Sequence, residues 1–115
     1  MKSLSVLAVP AIFALACGGS ALPAPKVTEA ESAVSAAQAV GASNNPRAAL
    51  HLKMARDQLA EAKTMIRNGD EEEARLVLDG AAADAELALM LTREEQARAK
   101  ASEATKGVSE LGKSE

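Results

Sequence analysis

The 115-residue chain carries 13 Lys and Arg against 16 Asp and Glu, a formal net charge of −3, and it has a single Phe with no Trp or Tyr. An acidic excess without aromatic platforms excludes a nucleic-acid binder, because duplex binding needs a basic face and single strands need rings to stack on. A chain of this length makes one small domain, and a core drawn from Leu, Val, Ile, Met and many Ala predicts an all-α fold, since strands favour β-branched and aromatic residues.

Residues 1–16 read as an export signal. Lys2 supplies a positive start, Leu4 to Phe13 an apolar run too short to span a bilayer, and Ala14 and Ala16 the small residues that a signal peptidase requires. Cleavage is expected between Ala16 and Cys17, and Cys17 is the only cysteine in the sequence. Ala14-Leu15-Ala16-Cys17 resembles the lipobox of bacterial lipoproteins, although the commonest form has Leu where Ala14 stands. The resemblance implies that the Cys17 sulfur receives a diacylglycerol and that its freed amine is acylated. Simple secretion is the alternative, and it would leave an unpaired thiol in an oxidising compartment. Several acyl chains at Cys17 would anchor the protein durably, where one would hold it only marginally.

Removal of residues 1–16 leaves 12 Lys and Arg against 16 Asp and Glu, a formal charge of −4. Residues 17–27 then form a lipidated cysteine and a tether, because Gly18, Gly19, Ser20, Pro23 and Pro25 punctuate a stretch without periodicity. Gly18 is not the aspartate that tends to retain enteric lipoproteins in the inner membrane, so the lipoprotein resemblance implies the outer membrane, facing the periplasm, as the expected address. No later run is apolar enough for a transmembrane helix.

The helical domain is expected over 28–106, with a frayed tail over 107–115. Thr28 and Glu31 have capping-box spacing for a short first helix with Ala30, Ala33, Val34, Ala37 and Val40 on one face, ending at Gly41. Asn45-Pro46 starts a second helix that runs to about Arg67. Gly69 ends it, Asp70 is expected to cap a third helix with Glu73, and Glu71 to Glu73 meet the positive end of the helix dipole.

The second helix repeats Ala48, Leu52, Ala55, Leu59, Ala62 and Ile66, and the third repeats Ala74, Leu78, Ala81, Ala85, Ala88 and Thr92. Both step by 4 and 3, as coiled-coil seams do, and they mirror each other about Asp70. An antiparallel hairpin follows, with Leu59 facing Ala81 and Ala62 facing Leu78, and the short first helix packs on it. One flank of the seam carries Arg56 and Lys63 against Glu86 and Asp79, expected to pair across it. The other presents Met54, Met65, Val77, Leu87 and Leu91, a candidate groove for a partner or for the first helix. Past Leu91 the helix is expected to continue to about Thr105 as an exposed overhang.

Gly69 to Ala74, with Leu78 and Ala81, resembles the turn and second-helix start of a tetratricopeptide repeat, but no second copy follows at a period of 34. The chain as a whole is similar to a family of short, Ala-rich bacterial lipoproteins, domain of unknown function 4398. The similarity is carried by the lipobox, Glu29-Ala30, Asn45-Pro46, Ala55 to Ala62, Gly69-Asp70, and Ala81 to Ala88 with Asp84. It covers nearly all of residues 1–95 and implies an envelope protein of unestablished biochemical role, without the peptidoglycan-binding domain that some relatives add.

Catalysis is not expected. His51 is the only histidine and reads as solvated on a basic helix face, with no nucleophile near it in sequence. Neither a phosphate-binding Gly loop nor a zinc pattern occurs, so no cofactor or metal is implied. The function read from the chain is a membrane-anchored module that binds an envelope protein. A small-ligand carrier using the Met-lined groove and a pilotin-like assembly factor are the alternatives.

Overall fold

The computed structural model describes residues 24–115, and these form three α-helices and one short 3-10 turn. Helix α1 spans Ala24–Ala39, α2 Pro46–Asn68 and α3 Glu71–Lys113, with the 3-10 turn at Ala42–Asn44. The signal segment, its cleavage site at Ala16 and Cys17, and the first part of the tether lie outside the described residues.

Helices α2 and α3 make the antiparallel hairpin, and its seam is the core. Ala48, Leu52, Ala55, Leu59 and Ala62 of α2 are buried, as are Ala74, Leu78, Ala81, Ala85, Ala88 and Thr92 of α3. Two leucines, Leu52 and Leu78, are the largest fully buried side chains, and alanines fill most of the remaining core. Small residues between a few large ones let the helix axes approach closely, which is how a core without rings reaches native density.

The connections follow from local chemistry. Asn45 caps α2, its side-chain oxygen accepting from the backbone N–H of Arg47 at 3.0 Å and of Ala48 at 3.2 Å, with Pro46 opening the helix. Gly69 closes it at φ 90°, and the Asp70 N–H donates to the Met65 carbonyl at 2.9 Å. That φ is open to glycine and strained for other residues, so this reversal depends on Gly69. Gly41 does the same after α1, at φ 86°.

Several local expectations are corrected. Helix α1 begins at Ala24, four residues before the expected Thr28 start, and it absorbs the end of the predicted tether. Pro25 is tolerated in the first helical turn, where its missing N–H would have had no partner. Thr28 is therefore inside the helix, its hydroxyl donating to the Ala24 carbonyl at 3.2 Å, and the Thr28–Glu31 capping box does not form. Asp70 stands at the start of α3 but makes no side-chain cap bond. Helix α3 also runs through the segment expected to fray, ending at Lys113, and every residue from Arg93 onward is exposed.

Candidate interaction surface

The position of α1 decides which flank of the hairpin is left open. Ala30, Val34 and Ala37 bury their side chains against the hairpin, and Ala82 of α3 is buried on the same side. The polar contacts locate α1 further. Lys26 donates to Asp79 at 2.7 Å, Lys63 pairs with Glu31, and Gln38, with its amide oxygen turned toward α2, accepts from the Arg56 guanidinium. Gln96 donates to the Val40 carbonyl at 3.0 Å and ties the far end of α1 to α3.

This arrangement overturns the expected register pairs. Arg56, Lys63 and Asp79 bond to α1 and not across the hairpin, because α1 brings its own Lys26 and Glu31 and lies over that flank. The charged flank is the docking side of α1. The Asp79 hydrogen bond and charge hold the Lys26 pKa above its ordinary 10.5, with a smaller contribution from Glu29 at 3.5 Å. Such exposed pairs set which flank α1 chooses more than they stabilise it.

The opposite flank, which carries the five predicted groove residues, is not covered by α1. Met65, Val77 and Leu91 are half-buried and pack down onto the core, whereas Met54 and Leu87 are exposed, at 40% and 41%. They share a flank without forming one open trough, for a polar cluster sits between them. His51 Nδ1 lies 2.9 Å from one oxygen of Asp84, and the Gln58 amide nitrogen donates to the other at 2.9 Å.

Here the sequence reading of His51 is corrected. Its side chain is 28% exposed and that of Asp84 17%, so the pair is a partly buried bridge between α2 and α3 and not a solvated histidine. The pairing spans 33 residues, and sequence spacing along one helix cannot reveal it. The signal was the hairpin register, which places Asp84 in height between His51 and Gln58. Gly80 completes the cluster, since a Cβ there would stand 3.1 Å from Gln58 Oε1, a buried atom without a hydrogen-bond partner. A glycine inside a helix costs about 1 kcal/mol against alanine, and the close approach of the Gln58 amide accounts for it. Both Asp84 oxygens are engaged, so the carboxylate reads as a lock on the hairpin register.

At the turn between α1 and α2 a cleft of about 510 Å³ opens against α3, lined by Val40, Asn45, Pro46, Leu91 and the overhang residues Gln96 and Arg98. Asn45 reaches across it toward the Leu91 carbonyl at 3.5 Å. Among the described residues there is no group of His, Cys, Asp and Glu placed to hold a metal ion, and no helix is long and apolar enough to cross a membrane.

These features define an all-α protein with a short helix on one flank of a long antiparallel hairpin and with its other faces open. The chain belongs to the family described as Domain of unknown function (DUF4398), whose model matches residues 25–104. That span begins one residue into α1 and takes in α2 and the first part of the exposed overhang. No curated protein and no solved structure matches the chain.

Proposed function

We propose that this protein is a lipid-anchored component of the bacterial envelope, held through Cys17 on the periplasmic side of the outer membrane, and that its helical domain acts by binding protein and not by catalysis. The signal and lipobox pattern of residues 1–17 supports the address. The observation that carries the activity is the exposure of Leu76, Leu87 and Met90 along the outside of α3, with Val108 and Leu111 further on. Large apolar side chains grouped on one exposed helix are the mark of an interaction surface.

Anchoring is tested by feeding cells a labelled fatty acid and fractionating their membranes. The native chain is expected to take up label and sediment with the outer membrane, and Cys17→Ser to lose both. A Cys17→Ser chain that still carries label would end the lipoprotein reading. Binding is tested by a photocrosslinking residue at Leu87 in live cells, which is expected to capture protein, and capture of none would end the binding reading. The small-ligand alternative is supported by the cleft beside Leu91. It predicts that Leu91→Arg abolishes extraction of an apolar ligand with the purified protein while leaving crosslinking intact.

A further inference from the structure

Helix α3 carries two apolar seams, and the second has no partner within the described chain. The inner seam serves the hairpin and ends at Thr92. Continued at the same 4 and 3 spacing it turns mostly polar, through Glu95, Ala99, Ser102, Lys106 and Ser109. The outer seam does not end there. It begins with Leu76, Ala83, Leu87 and Met90 and continues through Ala97, Ala101, Ala104, Val108 and Leu111, always in alternating steps of 4 and 3 once Gly80 and Glu94 take their places.

All these residues but Gly80 are exposed, Leu76, Met90 and Leu111 by 70%, 66% and 71%. Glu94 is the one charged position in the seam, and Arg98 holds it one turn on. From Leu76 to Leu111 the seam covers 36 residues, about five heptads. That exceeds the three to four heptads that mark a coiled coil. The overhang is thus apolar on the face that points away from its own hairpin.

We infer that the occupant of this seam is a second copy of the chain, with two α3 helices paired antiparallel about an axis between Ala88 and Leu89. The charges beside the seam carry the choice. The residues at the same heptad position, seven apart, are Asp79, Glu86, Arg93 and Lys100, acidic in the first half and basic in the second. Antiparallel pairing sets Glu86 beside Arg93 of the second copy, twice over by symmetry, and brings Asp79, already held by Lys26, near its Lys100. Parallel pairing would instead set Arg93 against Arg98, like against like, and leave Glu86 beside Leu91.

The side chains agree with the antiparallel register. Leu87 meets Met90 of the second copy near the axis, and Leu76 meets Ala101. The overhang of each copy then lies along the hairpin of the other, which sets Ala97 and Ala101 against Gly80 and Leu76 of the second copy, while Ala104, Val108 and Leu111 reach past the start of its seam. This pairing rests on the protein-binding reading above and names its partner.

Cysteine crosslinking in cells, on the full chain, tests it. Residues 76 and 101 on one helix are about 37 Å apart at 1.5 Å per residue, far beyond the reach of a disulfide, so any bond between them joins two chains. The double variant Leu76→Cys/Ala101→Cys is expected to give a covalent dimer on oxidation, and either single variant none above the background of the unsubstituted chain. Arg93→Glu in the double variant is expected to lower the dimer yield, and Glu86→Arg added to it to restore the yield.

Dimers from the single variants as strong as from the double would overturn the antiparallel arrangement. The absence of any dimer from a helical chain, or capture of a different protein alone by Leu87, would overturn self-pairing while leaving the protein-binding reading standing. Sedimentation of the unsubstituted chain in mild detergent against Ala97→Glu/Ala104→Glu, both on the exposed overhang, gives a readout that does not depend on how the cysteine variants fold. A dimer converted to monomer is expected, and a monomer in both would refute the pairing. Each assay is repeated with Cys17→Ser, so that loss of anchoring and loss of pairing register separately.

Discussion

The two halves of α3 have the same backbone conformation for different reasons. Residues 71–92 lie against α2 and α1 and bury Ala74, Leu78, Ala81, Ala82, Ala85, Ala88 and Thr92, so tertiary packing holds them in a helix. Residues 93–113 are all exposed, and apart from the Gln96 bond to the Val40 carbonyl they remain helical through residue type, rich in Ala, Glu, Lys and Arg. An isolated helix of that length is marginal in water. The first half shows what a packed alanine seam contributes, and the second shows a helix still in want of a neighbour.

The comparison can be broken most strongly at Leu78, which is 1% exposed. Leu78→Ala should cost about 2 to 5 kcal/mol, read as a lower urea midpoint, because a close-packed seam collapses poorly around the lost side chain. The Asp84 lock comes next. Asp84→Ala should cost about 1 to 3 kcal/mol by leaving the Gln58 amide without its acceptor, and Asp84→Asn should recover part of that. In the overhang, Ala101→Gly should lower helicity by circular dichroism at a local cost of about 1 kcal/mol, with the hairpin transition unmoved.

The smallest expected effect lies at the α1 flank. Lys26 has its pKa raised by Asp79, so the contribution of that pair is complete below the ordinary Lys value of 10.5 and is lost as pH rises through the raised one. Thermal unfolding should therefore be insensitive to Lys26→Met replacement in strongly alkaline buffer and slightly sensitive at neutral pH. Equal sensitivity in both would show that the pair contributes nothing specific.

Much of the hairpin was legible because its signals are local. Asn45-Pro46, Gly69 and the mirrored Leu and Ala spacing act within a few residues, and the structure places each where its chemistry requires. The seat of α1 was not legible, because its choice of flank rests on Lys26 to Asp79 and Glu31 to Lys63, contacts 53 and 32 residues apart. The apolar flank stood open to α1 or to a partner, and Ala30, Val34 and Ala37 form too thin a face to need it. His51 was misread for the same reason of distance, since Asp84 becomes its neighbour once the hairpin closes. The outer seam of α3 escaped a reading that followed one apolar face per helix, and it shows once the inner seam is known to end at Thr92.

Amide hydrogen exchange along α3, followed as a function of protein concentration, tests most directly whether the overhang finds its neighbour in another chain. Protection over residues 71–92 should be high and independent of concentration, because α2 supplies it within the chain. Protection over 93–106 should be slight in dilute solution and rise with concentration. An overhang protected equally at every dilution, or unprotected at every concentration, would contradict the account.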